Sequence, residues 1–116
     1  REVRPQAVTE SFSSWPPIAR TITRGATVAR NFPERDPEDL DGYIAGDREA
    51  TDACLAALSQ DDPLCVVLYL GQVDETGHKF GFHPKVPEYV HAIESVDGHI
   101  GRVSQAIRSR SEQRHE

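Results

Sequence analysis

One run constrains the fold of this chain more than any other: "LCVVLYL", Leu64 to Leu70, seven consecutive apolar residues. A half-buried strand alternates apolar and polar positions, whereas this run does not alternate. Unbroken apolarity over this length describes a strand covered on both faces, as in the interior of a parallel sheet. A buried helical turn is the competing reading. The β-branched centre and the bracketing Pro63 and Gly71 favour the strand.

The flanking segments are helical by period. In "DREATDACLAALSQDDP", Ala50, Ala53, Cys54, Ala57 and Leu58 fall on one stripe. Asp47 is the expected N-cap, Glu49 lies in the expected first turn, and Asp61, Asp62 and Pro63 close the element. In "VPEYVHAIESVDGHIGRVSQAI", Tyr89, Ile93, Val96, Ile100, Val103 and Ile107 alternate in steps of four and three, and Pro87 suits the first helical position. Gly98 and Gly101 inside this helix each cost about 1 kcal/mol against alanine. Close approach of another backbone, or simple tolerance, accounts for them.

The expected organisation is one partial α/β domain over 1–116. Residues 1–46 are mostly irregular, 47–108 form helix, strand, loop and helix, and 109–116 are a tail. A short strand near Thr27–Arg30 is the one neighbour the first segment offers; Pro33, Pro37, Gly42 and Gly46 mark a loop that Tyr43 and Ile44 anchor. The fold class is α/β, with a central parallel strand flanked by two helices. One such unit does not complete a sheet. The chain also opens on Arg1 and has no methionine, as expected of a piece of a longer protein.

Composition narrows the function classes. A net charge of −6 argues against binding a phosphate backbone, and the basic residues of "RSRSEQRHE" are interleaved with acids. No stretch approaches the roughly 20 apolar residues of a membrane span. Cys54 and Cys65 fall in apolar patterns and read as small buried hydrophobes, with no CxxC spacing for structural zinc. Nucleophile elbow, P-loop, GxGxxG and HExxH motifs are all absent.

The chemistry-bearing residues follow the apolar strand. In open α/β sheets the site lies beyond the carboxyl ends of the strands. Asp74 and His78 stand there, four apart with Gly77 between. A hard oxygen donor beside an imidazole suits zinc, manganese or iron. In a loop, that separation lets the chain fold back so that both heads reach one ion. Asp, Thr, Gly and His are equally ordinary turn residues, so the pair alone is a weak signal. His83 is a candidate third ligand. His91 and His99 share one side of the long helix, off its apolar stripe, and read as solvated. Asp97, at the stripe's edge, reads as a carboxylate hydrogen-bonded to loop backbone.

Taken together, "LYLGQVDETGHKFGFHPKVPEYVHAIESVDGHIGRV" resembles a segment of the alkaline phosphatase superfamily, in the branch of type I phosphodiesterases and nucleotide pyrophosphatases. "SWPPI" and "GDREATDA" resemble the stretch preceding the strand in bacterial members. The resemblance implies an alkaline-phosphatase-like fold of which this chain is an internal fragment. It implies a divalent-metal hydrolase, usually with two zinc ions, acting on small-molecule phosphoesters or phosphoanhydrides. Asp74 and His78 would ligate one of the two ions, while Asp97 matches a structural position. The family's Thr or Ser nucleophile and its remaining ligands have no counterpart here; neither Thr9 nor Thr76 stands in a matching context. The isolated chain is therefore expected to be inactive. A non-catalytic α/β module, or another superfamily member such as a sulfatase or phosphomutase, are the other readings.

Overall fold

The computed structural model describes residues 6–34 and 39–114. Three strands, β1 (Thr9–Ser13), β2 (Val28–Asn31) and β3 (Cys65–Tyr69), form an all-parallel sheet in the order β2-β1-β3. Three helices, α1 (Leu40–Gln60), α2 (Gln72–Phe80) and α3 (Pro87–Arg114), flank it. A single π-helical turn over Ile18–Ile22 lies between β1 and β2. The architecture is the mixed α/β arrangement expected of an alkaline-phosphatase-like fragment.

The middle strand is β1, and the apolar strand β3 stands at one edge of the sheet among the described residues. β1 reads "TESFS", a sequence with almost no strand signal, yet Glu10, Ser11, Phe12 and Ser13 are all buried. The serines are tolerated inside because partners are supplied. Thr23 Oγ1 donates to Ser11 Oγ at 2.7 Å, and Ser13 Oγ donates to Asn31 Oδ1 at 3.3 Å. The strand expected near Thr27–Arg30 is β2.

The core lies between one face of the sheet and α1. Phe12 and Phe32 meet Ala50, Cys54, Ala57 and Leu58, with Val66, Leu68, Val103 and Ala106 packed against the cluster. The alanine-rich stripe of α1 is thus the buried stripe. The other face of β3 is open: Val67 is exposed, and so is Cys65, against the expectation that both cysteines are buried. A helix layer covers only the core face of that strand.

α1 begins at Leu40, eight residues before the start that an N-cap at Asp47 implies. Its N-cap is Asp39, whose carboxylate accepts the Gly42 N–H at 3.0 Å, and Asp47 is an interior helix residue. The glycines that marked a loop lie inside the helix. Gly46 has a specific reason to be there: a Cβ would sit 2.2 Å from the Phe32 carbonyl oxygen. Only glycine admits that crossing of the two backbones.

Asp47 is fully buried, and its carboxylate is the junction of three elements. It accepts the Ser14 hydroxyl from the end of β1, the Gly71 N–H at 2.9 Å, and the Gln72 N–H at 3.1 Å. Ser14 Oγ also accepts the Gly71 N–H at 2.8 Å. The start of α2 is thereby tied to α1 and to β1.

α3 packs along α1, with Val103 and Ala106 against the core cluster and ion pairs Arg102–Asp52 and Arg110–Asp62 across the seam. This divides the expected apolar stripe. Ile93, Ile100 and Ile107 are 44%, 52% and 49% exposed, whereas Ala92 is buried and Val103 and Ala106 pack on the core. Added Cβ atoms on Gly98 and Gly101 would meet nothing within 4 Å, so no close backbone accounts for them among the described residues.

Asp47→Ala would leave the Ser14 hydroxyl and the Gln72 N–H without this acceptor, and the Gly71 N–H with Ser14 Oγ alone, and should cost about 3 kcal/mol or more. Ser14→Ala should cost about 1 kcal/mol. Urea midpoints at unchanged slope measure both, and equal losses would contradict the central place of Asp47. A second expectation concerns Glu10, whose carboxyl is raised above its ordinary value by burial, then by the hydrogen bond and charge of Asp61. The folded chain then keeps a proton that the unfolded chain has released. Its contribution is full below the unfolded carboxylate value and is lost as pH rises through the raised one. Denaturation across that window should show stability falling with pH, and Glu10→Gln should flatten the slope.

Candidate functional site

α2 follows β3 directly, where the sequence reading expected a loop. Its charges are arranged as a helix requires: Asp74 and Glu75 in the first turn, His78 and Lys79 in the last. Gly77 lies in mid-helix because the Phe82 ring folds back onto it; a Cβ there would fall 2.1 Å from Phe82 Cε1. Gly81 ends the helix at φ +118°, a backbone that side chains rarely adopt.

Helical spacing brings Asp74 and His78 together one turn apart. His78 Nε2 lies 3.4 Å from Asp74 Oδ2, and the two side chains are 65% and 60% exposed. The pair converges at the carboxyl end of β3 by helical geometry, without the fold-back of a loop. The His78 ring meets Phe82 edge-on at 5.2 Å between centroids, and Phe82 in turn meets Tyr89 at 5.5 Å. Phe82, seated on Gly77, is the wall against which the imidazole is oriented.

On its other side Asp74 lines a cleft of about 120 Å³ with Trp15, Tyr43, Tyr69, Gly71 and Glu75. Trp15 and Tyr69 stand 5.8 Å apart, tilted. Burial raises the Tyr69 phenol above its ordinary value, and the charges of Asp74, Asp47 and Glu75 raise it further. The cleft therefore joins aromatic walls to a negative rim. It sits at the carboxyl ends of β1 and β3, where an open α/β sheet places its ligands. Sequence reasoning missed the aromatic residues because they come from three separate segments. With β1 recognised, Trp15 just beyond its end would have been the pointer.

The other candidates do not join the pair. His83 is exposed, and its Nδ1 accepts the Lys85 N–H at 3.0 Å. Asp97 is exposed on α3, so the expected partly buried carboxylate is not found there. His91 is exposed and His99 half-buried. Thr76 is buried on the opposite side of α2, and Thr9 begins β1, its hydroxyl accepting the Thr27 N–H at 3.2 Å. Among the described residues, no group of three or more His, Cys, Asp or Glu side chains is placed to hold a metal. Nor is any helix among them long and apolar enough to cross a membrane.

A sequence model of the type I phosphodiesterase / nucleotide pyrophosphatase family matches residues 4–114. The chain belongs to that family, whose substrates are small-molecule phosphoesters. No curated protein and no solved structure matches it.

If Asp74 charges the cleft as described, Asp74→Asn should lower the Tyr69 ionisation midpoint while leaving it above that of an exposed tyrosine, since burial is the larger cause. Ring-labelled tyrosine NMR across an alkaline titration reads this directly. An unchanged midpoint would place Asp74 out of electrostatic reach.

Proposed function

We propose that this chain contributes one half-site of a metal-dependent phosphodiesterase or nucleotide pyrophosphatase centre, with Asp74 and His78 holding one divalent cation, zinc by preference. The supporting observation is the separation of their donor atoms, 3.4 Å between Oδ2 and Nε2. Two ligands about 2.1 Å from one tetrahedral ion stand about 3.4 Å apart, so the donor set fits zinc without rearrangement. An oxygen and an imidazole nitrogen are also a common zinc pair. When bound, such an ion polarises a phosphoryl oxygen and brings the pKa of a bound water toward about 7.

The chain's own residues have separate tasks. Phe82 fixes the His78 ring, and Asp47 fixes the first turn of α2 that carries Asp74. Trp15 and Tyr69 offer apolar faces beside Asp74, suited to the organic group of a phosphodiester rather than to its phosphate. Neither threonine weighed as a nucleophile is available for attack: Thr76 is buried, and Thr9 is engaged at the start of the sheet. Two ligands without a nucleophile bind an ion loosely and do not turn over a diester.

Zinc titrated into the 116-residue chain should bind weakly, with His78 ring signals shifting first, and the shift should vanish in Asp74→Asn. The same protein should release no nitrophenol from a nitrophenyl phosphodiester. Tight stoichiometric binding, or zinc-dependent release that survives purification, would overturn the half-site reading. Zinc binding unaffected by Asp74→Asn would remove the ligand assignment.

A further inference from the structure

At the opposite, amino end of the sheet lies a second cavity, of about 280 Å³, between β1, β2 and the last turns of α1. Its walls are Phe12, Val28, Ala53, Ala56 and Ala57, and its polar end is formed by Glu10 and Asp61. Glu10 is only 4% exposed, and its Oε2 is buried without a hydrogen-bond partner. A buried carboxyl oxygen with no donor is costly; the hydrogen bond with Asp61 does not reach Oε2, and Asp61 adds a like charge.

Gln60 also lines the cavity, but the charges nearest this group favour a cation. α1 ends here, which presents the negative end of its dipole, and its last turn contains no basic residue. Arg30 lines the same cavity, but its guanidinium carbon stands 4.6 Å from the centroid of the Phe32 ring, over the ring face. Arg110 is engaged by Asp62. A hydrated metal ion suits the site poorly. Apolar walls offer few of the six or more oxygens that a hard cation takes. An ammonium on a hydrocarbon stem matches both halves, with N–H donors for the carboxyl end and methylenes for the alanine and phenylalanine walls.

We propose that this cavity binds a primary ammonium group carried on a short hydrocarbon stem, the chemistry shared by a simple alkylamine and a lysine side chain. Glu10 and Asp61 receive the charged end, and Phe12, Val28 and the alanines of α1 surround the stem. The site is independent of Asp74 and His78, which lie beyond the other end of the strands.

The test is an NMR titration of the 116-residue chain with n-butylammonium chloride at neutral pH. Saturable shifts at Glu10, Ala53 and Ala57 are expected. n-Butanol, which lacks the charge, and tetramethylammonium, which lacks the N–H donors, should each bind at least about tenfold more weakly. Glu10→Gln should weaken n-butylammonium by a similar factor. Ala56→Leu, which fills the cavity and keeps both carboxyls, should abolish binding and guards against misfolding of the first variant. Nα-acetyl-lysine methylamide distinguishes the sources: binding as tight as the simple amine indicates a peptide lysine, and exclusion indicates a free amine. Absence of saturable shifts in the unmodified chain, or undiminished binding in both folded variants, would overturn the proposal.

Discussion

The buried carboxylate of Asp47 is the interaction on which the other parts depend. It is an anion in the interior of a helix, and it is stable there because a hydroxyl and two backbone N–H groups point at it. Those donors belong to the end of β1 and the start of α2. The single side chain therefore sets where α2 begins, and the start of α2 sets where Asp74 stands. Gly71 packs closely at the same junction, since a Cβ would stand 3.2 Å from Ser14 Oγ and 3.3 Å from the Tyr43 ring.

Some of this architecture was legible in the sequence. The apolar run, the alanine-rich stripe and the proline start of the last helix each carry their own periodicity or punctuation, and the structure forms a strand and two helices there. β1 was not legible because apolarity was the only signal available for burial. Its serines Ser11 and Ser13 are buried with partners contributed from Thr23 and Asn31, and partnership across the fold leaves no mark in a local window. The start of α1 was misread for a related reason. Gly42 and Gly46 resemble breakers, yet Gly46 is glycine because Phe32 crosses it.

The site was legible in its pair and not in its setting. A spacing of four satisfies both a folded-back loop and one turn of helix, so Asp74 and His78 could be named without the right backbone beneath them. The helix was hidden by Gly77, which reads as a turn residue and serves as a seat for Phe82. The aromatic cleft was beyond local reading, since Trp15, Tyr43 and Tyr69 converge only once the sheet is assembled.

Three carboxylates near the carboxyl end of the sheet differ in what already satisfies them, and this difference assigns their roles. Asp47 is saturated by donors and needs no counter-ion, which marks it as structural despite its position beside the cleft. Asp74 has His78 as its partner, a group that is cationic only when protonated. Glu75 adds a further negative charge at the cleft and takes part in none of the ion pairs His78–Asp74, Arg102–Asp52 and Arg110–Asp62. At this end of the sheet the uncompensated charge thus lies on the exposed face of α2 and not at Asp47. A divalent cation held there would neutralise charge that the fold leaves uncompensated, whereas the same ion at Asp47 would have to displace the hydrogen bonds that hold the helix in place.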